Sequence, residues 1–189
     1  MTVEANIMNR AIKFKLKNGR TVTIRRIRAN DYDACMKYLS KFSRDPGALQ
    51  TNQYPGQPKK DKEMSIKMYE SDTRLFIGIF DGKDIVGMAN IGKQNPEHPY
   101  QMGIRAGIGF GMLKNYTHNG LGTKMLGIME NWARKNGVKM LYADIRHLNI
   151  PSIATFIKSG FLITGLQRNV DKVNGNFIHR YMVEKDLLN

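Results

Sequence analysis

The stretch between residues 104 and 137 constrains the fold more than any other part of the chain. Residues 104–113 are apolar and rich in glycine, and this pattern predicts a strand. From residue 121 onward, apolar side chains recur at helical spacing, and Gly137 stands where the helix would end. The turn between the two elements contains Gly120 and Gly122. The segment therefore predicts a strand that leads through a glycine turn into an amphipathic helix.

Strands are predicted in several other places, and most of them come in hairpins. Turn residues separate apolar runs at Asn18-Gly19, at 81–84 and at 171–176. Residues 140–145 form a further apolar run directly after the amphipathic helix. A strand that follows a helix in this way pairs in parallel with the strand before the helix. The sheet is therefore expected to be mixed and mostly antiparallel, with one parallel pair.

Helices are predicted in three further places. Asn30 is expected to cap a first helix that reaches about residue 40, and a short helix is expected at about 61–70. Residues 151–158 begin with a proline and are followed by Gly160, which is typical of a short helix. We therefore predict a single α/β domain over residues 1–189, with about four helices flanking the sheet.

Charge and composition limit the possible partners and location. The formal net charge of +14 favours anionic partners. No apolar run approaches the roughly 20 residues that cross a bilayer, so no membrane association is expected. The chain has one cysteine and shows no leader segment, and we therefore expect a cytoplasmic protein. The four histidines lack the spacing of metal ligands, so no metal is expected.

A basic nucleic-acid-binding protein is one alternative that the charge leaves open. The basic residues are densest at 10–28 and 59–67. Neither stretch interleaves aromatic side chains, as a surface that stacks on bases would. Solvated charge explains both stretches, and nucleic acid is therefore not the expected partner.

Residues 116–123 (Tyr-Thr-His-Asn-Gly-Leu-Gly-Thr) carry the strongest chemical signal. The first N–H groups of a helix have no acceptor inside it, and the helix dipole places partial positive charge there. Two glycines allow a bulky anion to approach this backbone, which favours a diphosphate site. A tight turn without a ligand would explain the same glycines. Residue 125 is methionine and no Lys-Ser/Thr pair follows, so neither a dinucleotide fingerprint nor a P-loop is present.

Four segments together resemble the GNAT superfamily of N-acetyltransferases. Residues 117–122 are similar to its Arg/Gln-x-x-Gly-x-Gly/Ala loop for acetyl-CoA, and residues 149–161 to its later Asn-x-x-Ala/Ser-Ile element, which ends in Gly-Phe. Residues 21–31 resemble its first strand and helix start, and 84–87 its third strand. The matches come in the family's order and span about residues 13–187.

The resemblance implies an enzyme that moves an acetyl group from acetyl-CoA to a primary amine of a small molecule or protein. The amine would attack directly in a ternary complex, and the parallel strands would splay to admit the pantetheine. A homodimer is left open. The coenzyme-binding residues that the resemblance implies are Met112, Leu113, Lys114, Thr117, His118, Asn119, Gly120, Leu121, Gly122, Thr123, Asn149 and Phe156.

This sequence departs from the family's pattern at three positions. The usual Arg or Gln of the loop is Thr117, the tyrosine acid falls at Phe156, and the glutamate base falls at Gly107. An acyl-CoA-binding module without turnover is therefore a second alternative. The catalytic residues stay unknown. Three side chains are candidates to replace the missing acid or base. His147 and Asp144 are expected at the end of the strand beside the cleft, and Tyr181 on the last strand.

Overall fold

The computed structural model describes residues 10–44, 60–94, 104–173 and 175–188. Eight strands and four α-helices lie within these ranges. The strands are β1 Ile12–Lys15, β2 Thr21–Arg26, β3 Arg74–Asp81, β4 Asp84–Lys93, β5 Arg105–Met112, β6 Met140–Arg146, β7 Leu162–Val173 and β8 Asn176–Asp186. The helices are α1 Tyr32–Phe42, α2 Lys60–Tyr69, α3 Leu121–Lys135 and α4 Ile150–Lys158.

The strands form one mixed sheet in the order β1-β2-β3-β4-β5-β6-β8-β7. Only β5 and β6 pair in parallel, and their register joins 105–107 to 140–142. Both strands continue beyond this short pairing, to Met112 and Arg146. A gap therefore opens between their C-terminal halves. The predicted α/β class, with a mostly antiparallel sheet, one splayed parallel pair and about four helices, is confirmed, whereas the boundaries of 1–189 stay a prediction.

The helices cover the two faces of the sheet with separate apolar cores. Leu121, Met125 and Trp132 of α3 are buried in the larger core, together with Leu141 and Ala143 of β6. Residues of α1 and α2 pack in a smaller core on the other face. None of the helices in the described ranges is long and apolar enough to span a membrane.

The start of α1 differs from the prediction. Asn30 was expected as the N-cap, but it lies inside a single 3-10 turn, Ala29–Asp31, that precedes α1. The turn is held by Asp31, whose Oδ2 accepts a hydrogen bond of 2.9 Å from the Arg28 amide. The Arg25 guanidinium pairs with both oxygens of the same carboxylate. These contacts hold Asp31 at the end of the turn, and Asp31, one residue beyond Asn30, is the N-cap of α1.

The last hairpin is longer than predicted. The predicted turn covered 171–176, but β7 continues to Val173 and β8 begins at Asn176. Asp171 pairs with Ile178 in this extension and is buried. Its carboxylate binds the guanidinium groups of Arg146 and Arg180. The ion pairs explain why a residue type that is common in turns lies inside a strand here.

Candidate active site

A cavity of about 480 Å³, here called the α3 cavity, lies among the described residues. It lies where the end of β5 meets the N-termini of α3 and α4, and it reaches α1 through Phe42. Eight of the predicted coenzyme-binding residues line it: Met112, Thr117, His118, Gly120, Leu121, Gly122, Thr123 and Asn149. The other lining residues are Phe42, Phe110, Gly111, Ile150, Pro151, Ser152, Ala154, Thr155 and Lys158.

The first turn of α3 presents backbone amides to this cavity. Its N-cap is Gly120, which has no side chain and adopts a φ of 81°. The Lys124 amide is bonded to the Gly120 carbonyl at 3.0 Å. The preceding amides, on residues 121–123, have no acceptor within the helix, and these residues line the cavity. Together with the helix dipole, they form a site that suits an anion.

Glycine is required at positions 120 and 122 of the turn for two different physical reasons. Gly120 adopts the left-handed conformation that side chains disfavour. Gly122 lies close to the cavity floor, because a Cβ there would be 3.2 Å from the Phe110 ring and 3.2 Å from the Thr155 methyl. A larger residue at 122 would therefore fill space that the cavity now provides.

The loop before α3 is fixed by contacts that the sequence did not reveal. The Asn119 side chain accepts a hydrogen bond of 3.0 Å from the Lys17 amide in the β1–β2 turn. It also donates to the carbonyls of Tyr116 and Thr117. The Tyr116 hydroxyl donates to Asp81 at 2.6 Å, and partial burial followed by this bond raises the pKa of Tyr116. Asn119 therefore positions the loop, and its side chain is not available to a ligand.

The end of β5 offers fewer free backbone groups than predicted. Residues 112–114 were all expected to face the coenzyme. The Leu113 amide instead donates to the Val86 carbonyl at 2.9 Å, and its carbonyl accepts from Tyr116. The Lys114 carbonyl accepts from Thr117. Because backbone groups alternate in direction along an antiparallel strand, those of residues 108, 110 and 112 point toward the gap beside β6.

Asn149 and Phe156 have clear structural roles in α4. The Asn149 side chain accepts a hydrogen bond of 3.2 Å from Ser152 and caps the helix at the rim of the α3 cavity. Phe156 is buried, stacks on Phe110 at a centroid distance of 5.6 Å, and meets Phe161 edge-on. Phe156 therefore lies beneath the cavity floor and has no proton to supply.

The three catalytic candidates do not come together. The His147 amide donates to the His179 carbonyl at 3.0 Å, and the two imidazoles lie 5.0 Å apart at the end of β6. Asp144 is exposed on β6. Tyr181 is paired with Ile145, so its side chain lies on the sheet face opposite that of Asp144. His147, Asp144 and Tyr181 are all absent from the lining of the α3 cavity.

The expected position of a glutamate base is covered by an aromatic ring. A Cβ at Gly107 would lie 3.1 Å from the hydroxyl oxygen of Tyr142. A side chain at 107 would therefore require the Tyr142 ring to move aside by a few tenths of an ångström. No cluster of three or more His, Cys, Asp or Glu side chains that could hold a metal occurs in the described ranges.

Comparison with known proteins identifies the family. The sequence model described as the Acetyltransferase (GNAT) family matches residues 39–161. The chain belongs to this family. No curated protein has a matching sequence. Among solved structures, a GNAT-family acetyltransferase of Streptococcus pneumoniae has a TM-score of 0.75 at 22% identity, with 88% of this chain and 99% of that chain covered.

Two further structures similar to this GNAT chain were solved with their coenzyme. YncA of Salmonella typhimurium, with its cofactor acetyl-CoA, has a TM-score of 0.72 at 18% identity over 88% of this chain and 94% of its own. A phosphinothricin acetyltransferase of Sinorhizobium meliloti, in complex with acetyl-CoA, has a TM-score of 0.75 at 14% identity over 88% of each chain. At these identities the likeness concerns the fold.

Proposed function

We propose that the protein transfers an acetyl group from acetyl-CoA to a primary amine by direct attack in a ternary complex. The observation that carries this proposal is the α3 cavity, which brings open backbone amides at a helix N-terminus next to the end of β5, where β5 no longer pairs with β6. This combination suits a ligand with a diphosphate at one end and an extended amide-containing arm. Family membership and the two acetyl-CoA complexes of similar fold support this assignment.

The diphosphate is assigned to the first turn of α3. The amides of residues 121–123 supply the donors, and His118 and Lys158 line the same cavity. A hydrogen bond to a charged group contributes roughly 1.5–3 kcal/mol. Several such bonds compensate for Thr117, which replaces the usual Arg or Gln of the loop. The net charge of +14 adds long-range attraction for the anionic coenzyme.

The thioester is assigned to the gap between β5 and β6. The amides of Phe110 and Met112 point toward this gap and can polarise the thioester carbonyl. The acceptor nitrogen then attacks the carbonyl carbon, the C–N bond forms and the C–S bond breaks. The proton lost by the amine neutralises the thiolate, directly or through water. Alignment of amine and thioester supplies much of the rate.

The rate is expected to follow the ionisation of the acceptor. Since Phe156 is buried and Gly107 is covered by Tyr142, neither position supplies an acid or base. Deprotonation at pH 7 costs about 4.6 kcal/mol for an amine of pKa ~10.4, but only about 1 kcal/mol for one of pKa ~7.8. Below the acceptor's pKa, kcat/KM should rise about tenfold for each pH unit and level off above it. Initial rates measured over a range of pH should show that the rise in kcat/KM levels off at different pH values for an α-amine and for a lysine-type amine. The same inflection near neutrality for both amines would instead reveal a base on the enzyme.

An acyl-CoA-binding module without turnover is the alternative that the missing acid and base favour. Thermal unfolding separates the two, because a ligand at a hundredfold its Kd adds about 2.7 kcal/mol of stability. Stabilisation by acetyl-CoA together with release of CoA in the presence of an amine supports the enzyme. Stabilisation without CoA release across a broad amine panel supports the module.

A further inference from the structure

A second cavity of about 270 Å³ lies on the opposite face of the sheet from α3. Tyr142 lines it, and this residue stands between Leu141 and Ala143, whose side chains are buried under α3. Successive side chains of a strand point to opposite faces, so Tyr142 faces away from α3. We call this space the sheet-face cavity. It is lined by strands β3 to β6 and by Gln94.

Two hydrogen-bond donors converge above a pair of glycines in this cavity. Gly92 of β4 and Gly107 of β5 are direct partners in the sheet. A Cβ at Gly92 would lie 3.3 Å from Nη1 of Arg74, and a Cβ at Gly107 would lie 3.1 Å from the hydroxyl oxygen of Tyr142. The guanidinium and the phenol therefore lie over neighbouring strands, which are about 4.8 Å apart. Their approach depends on the absence of side chains at 92 and 107.

The charge of the cavity is positive and is not neutralised within the described residues. Arg74 is an exposed residue that forms no ion pair with an acidic group in those ranges. Arg105, by contrast, is paired with Glu184 and lies 5.4 Å from the centre of the Tyr142 ring. Gln94 contributes a buried Oε1 that lacks a hydrogen-bond partner in the described part of the chain. The cavity thus offers the Arg74 and Tyr142 donors, the first of which is a cation, to an oxyanion, and the Gln94 acceptor to an N–H or O–H group.

We propose that the sheet-face cavity binds an oxyanion of the acceptor, and that the substrates are small amines that carry a carboxylate or phosphate group. This inference rests on the proposed acetyl transfer. Gly107 lines the sheet-face cavity, and Gly111 of the same strand lines the α3 cavity. The thioester, beside Phe110, lies within about 10 Å of the oxyanion, since a strand rises about 3.4 Å per residue. Since the attacking nitrogen stands about 3 Å from the thioester carbon, an amine about 7 Å from its oxyanion, with roughly five or six bonds between them, spans this distance.

The first test compares matched acceptors with the wild-type protein. The panel contains α-amino acids, ω-amino acids of increasing length, the carboxamides of both sets, simple alkylamines and amine phosphate monoesters. Release of CoA is measured with each compound. Acids or phosphates should exceed their neutral counterparts in kcat/KM by about tenfold to a hundredfold, the range of one or two charge-assisted bonds. Comparison of the amino acids with the amine phosphate monoesters then shows whether the cavity prefers a carboxylate or a phosphate. Equal rates with acids, carboxamides and alkylamines would overturn the proposal, as would selective acetylation of protein N-termini.

Variants of the lining residues test whether the preference for acidic acceptors arises in this cavity. Arg74→Gln should reduce the preference for the acid over its carboxamide by about tenfold or more, mainly through KM. Tyr142→Phe removes only the hydroxyl and should reduce the preference by a smaller factor. Arg168→Gln changes an exposed arginine on β7 and is the matched control, with an unchanged preference. An unchanged preference in Arg74→Gln would refute the proposal. Thermal stabilisation by acetyl-CoA is measured in the wild type and in every variant. If acetyl-CoA does not stabilise the wild type, the proposed function itself is refuted.

Discussion

Replacement of Gly122 by valine is expected to abolish measurable binding of acetyl-CoA. The new Cβ would lie 3.2 Å from both the Phe110 ring and the Thr155 methyl, and the two Cγ atoms would extend into the α3 cavity. The diphosphate could then no longer approach the amides of the first turn of α3. Loss of two or three charge-assisted bonds corresponds to a fall in affinity of ~100-fold or more. Isothermal calorimetry with acetyl-CoA provides the measurement.

The matched control is Gly127→Ala in the same helix. A Cβ at Gly127 meets nothing within 4 Å, and Ala in a helix interior is favoured over Gly by about 1 kcal/mol. This variant should bind acetyl-CoA as the wild type does and unfold at a slightly higher temperature. The circular dichroism of both variants verifies their folding. Affinity within twofold of the wild type for a folded Gly122→Val protein would contradict the assignment of the diphosphate to this turn.

Replacement of Asp171 by alanine is expected to produce the largest loss of stability. The Asp171 carboxylate is buried between Arg146 at 2.8 Å and Arg180 at 2.6 Å, and the Arg146 side chain is only 6% exposed. Removing one partner of a buried pair costs about 3–5 kcal/mol, because the remaining charge keeps its desolvation penalty. Urea denaturation gives this difference directly. Glu63→Ala, at an exposed position of α2, is the control and should change stability by less than about 0.5 kcal/mol.

The same carboxylate gives the stability a defined pH dependence. Hydrogen bonds from Arg180, followed by those from Arg146, hold the pKa of Asp171 below its ordinary value. A carboxyl whose pKa is lower in the folded state contributes fully above its unfolded pKa of about 3.9 and loses the contribution as the pH falls through the folded pKa. The wild type should therefore lose more stability on acidification through this range than Asp171→Ala does. Parallel losses in the two proteins would show that the carboxylate does not contribute in this way.

Local patterns were sufficient to predict much of the fold. The periodicity of 121–133 and the glycines at 120 and 122 predicted α3 and its turn, because helical spacing and left-handed conformation are properties of a few neighbouring residues. The parallel pairing of β5 and β6 followed from the order strand, helix, strand. Eight of the predicted coenzyme residues accordingly lie on one cavity. Their roles toward acetyl-CoA stay predictions until binding is measured.

The remaining features depend on contacts between distant parts of the chain. The side chain of Asn119 bonds to the Lys17 amide, 102 residues away, and no local pattern indicates this bond. The Leu113 amide donates to the Val86 carbonyl because of the β4–β5 register, which periodicity alone does not fix. Tyr142 covers Gly107 from the neighbouring strand. The prolines and glycines of residues 44–60 predict a long loop that helps to shape the acceptor pocket. This segment lies almost entirely outside the described residues, and its part in acceptor binding stays a prediction.

The backbone amides at the start of α3 are expected to hold the diphosphate of coenzyme A. Titration of uniformly ¹⁵N-labelled protein with CoA, followed by amide chemical shifts, detects this contact residue by residue. The amides of Leu121, Gly122 and Thr123 should shift most, and pantetheine, which lacks the diphosphate, should leave them in place. Saturable binding of CoA with the largest shifts elsewhere, or no shifts at millimolar CoA, would show that the diphosphate does not bind at this turn.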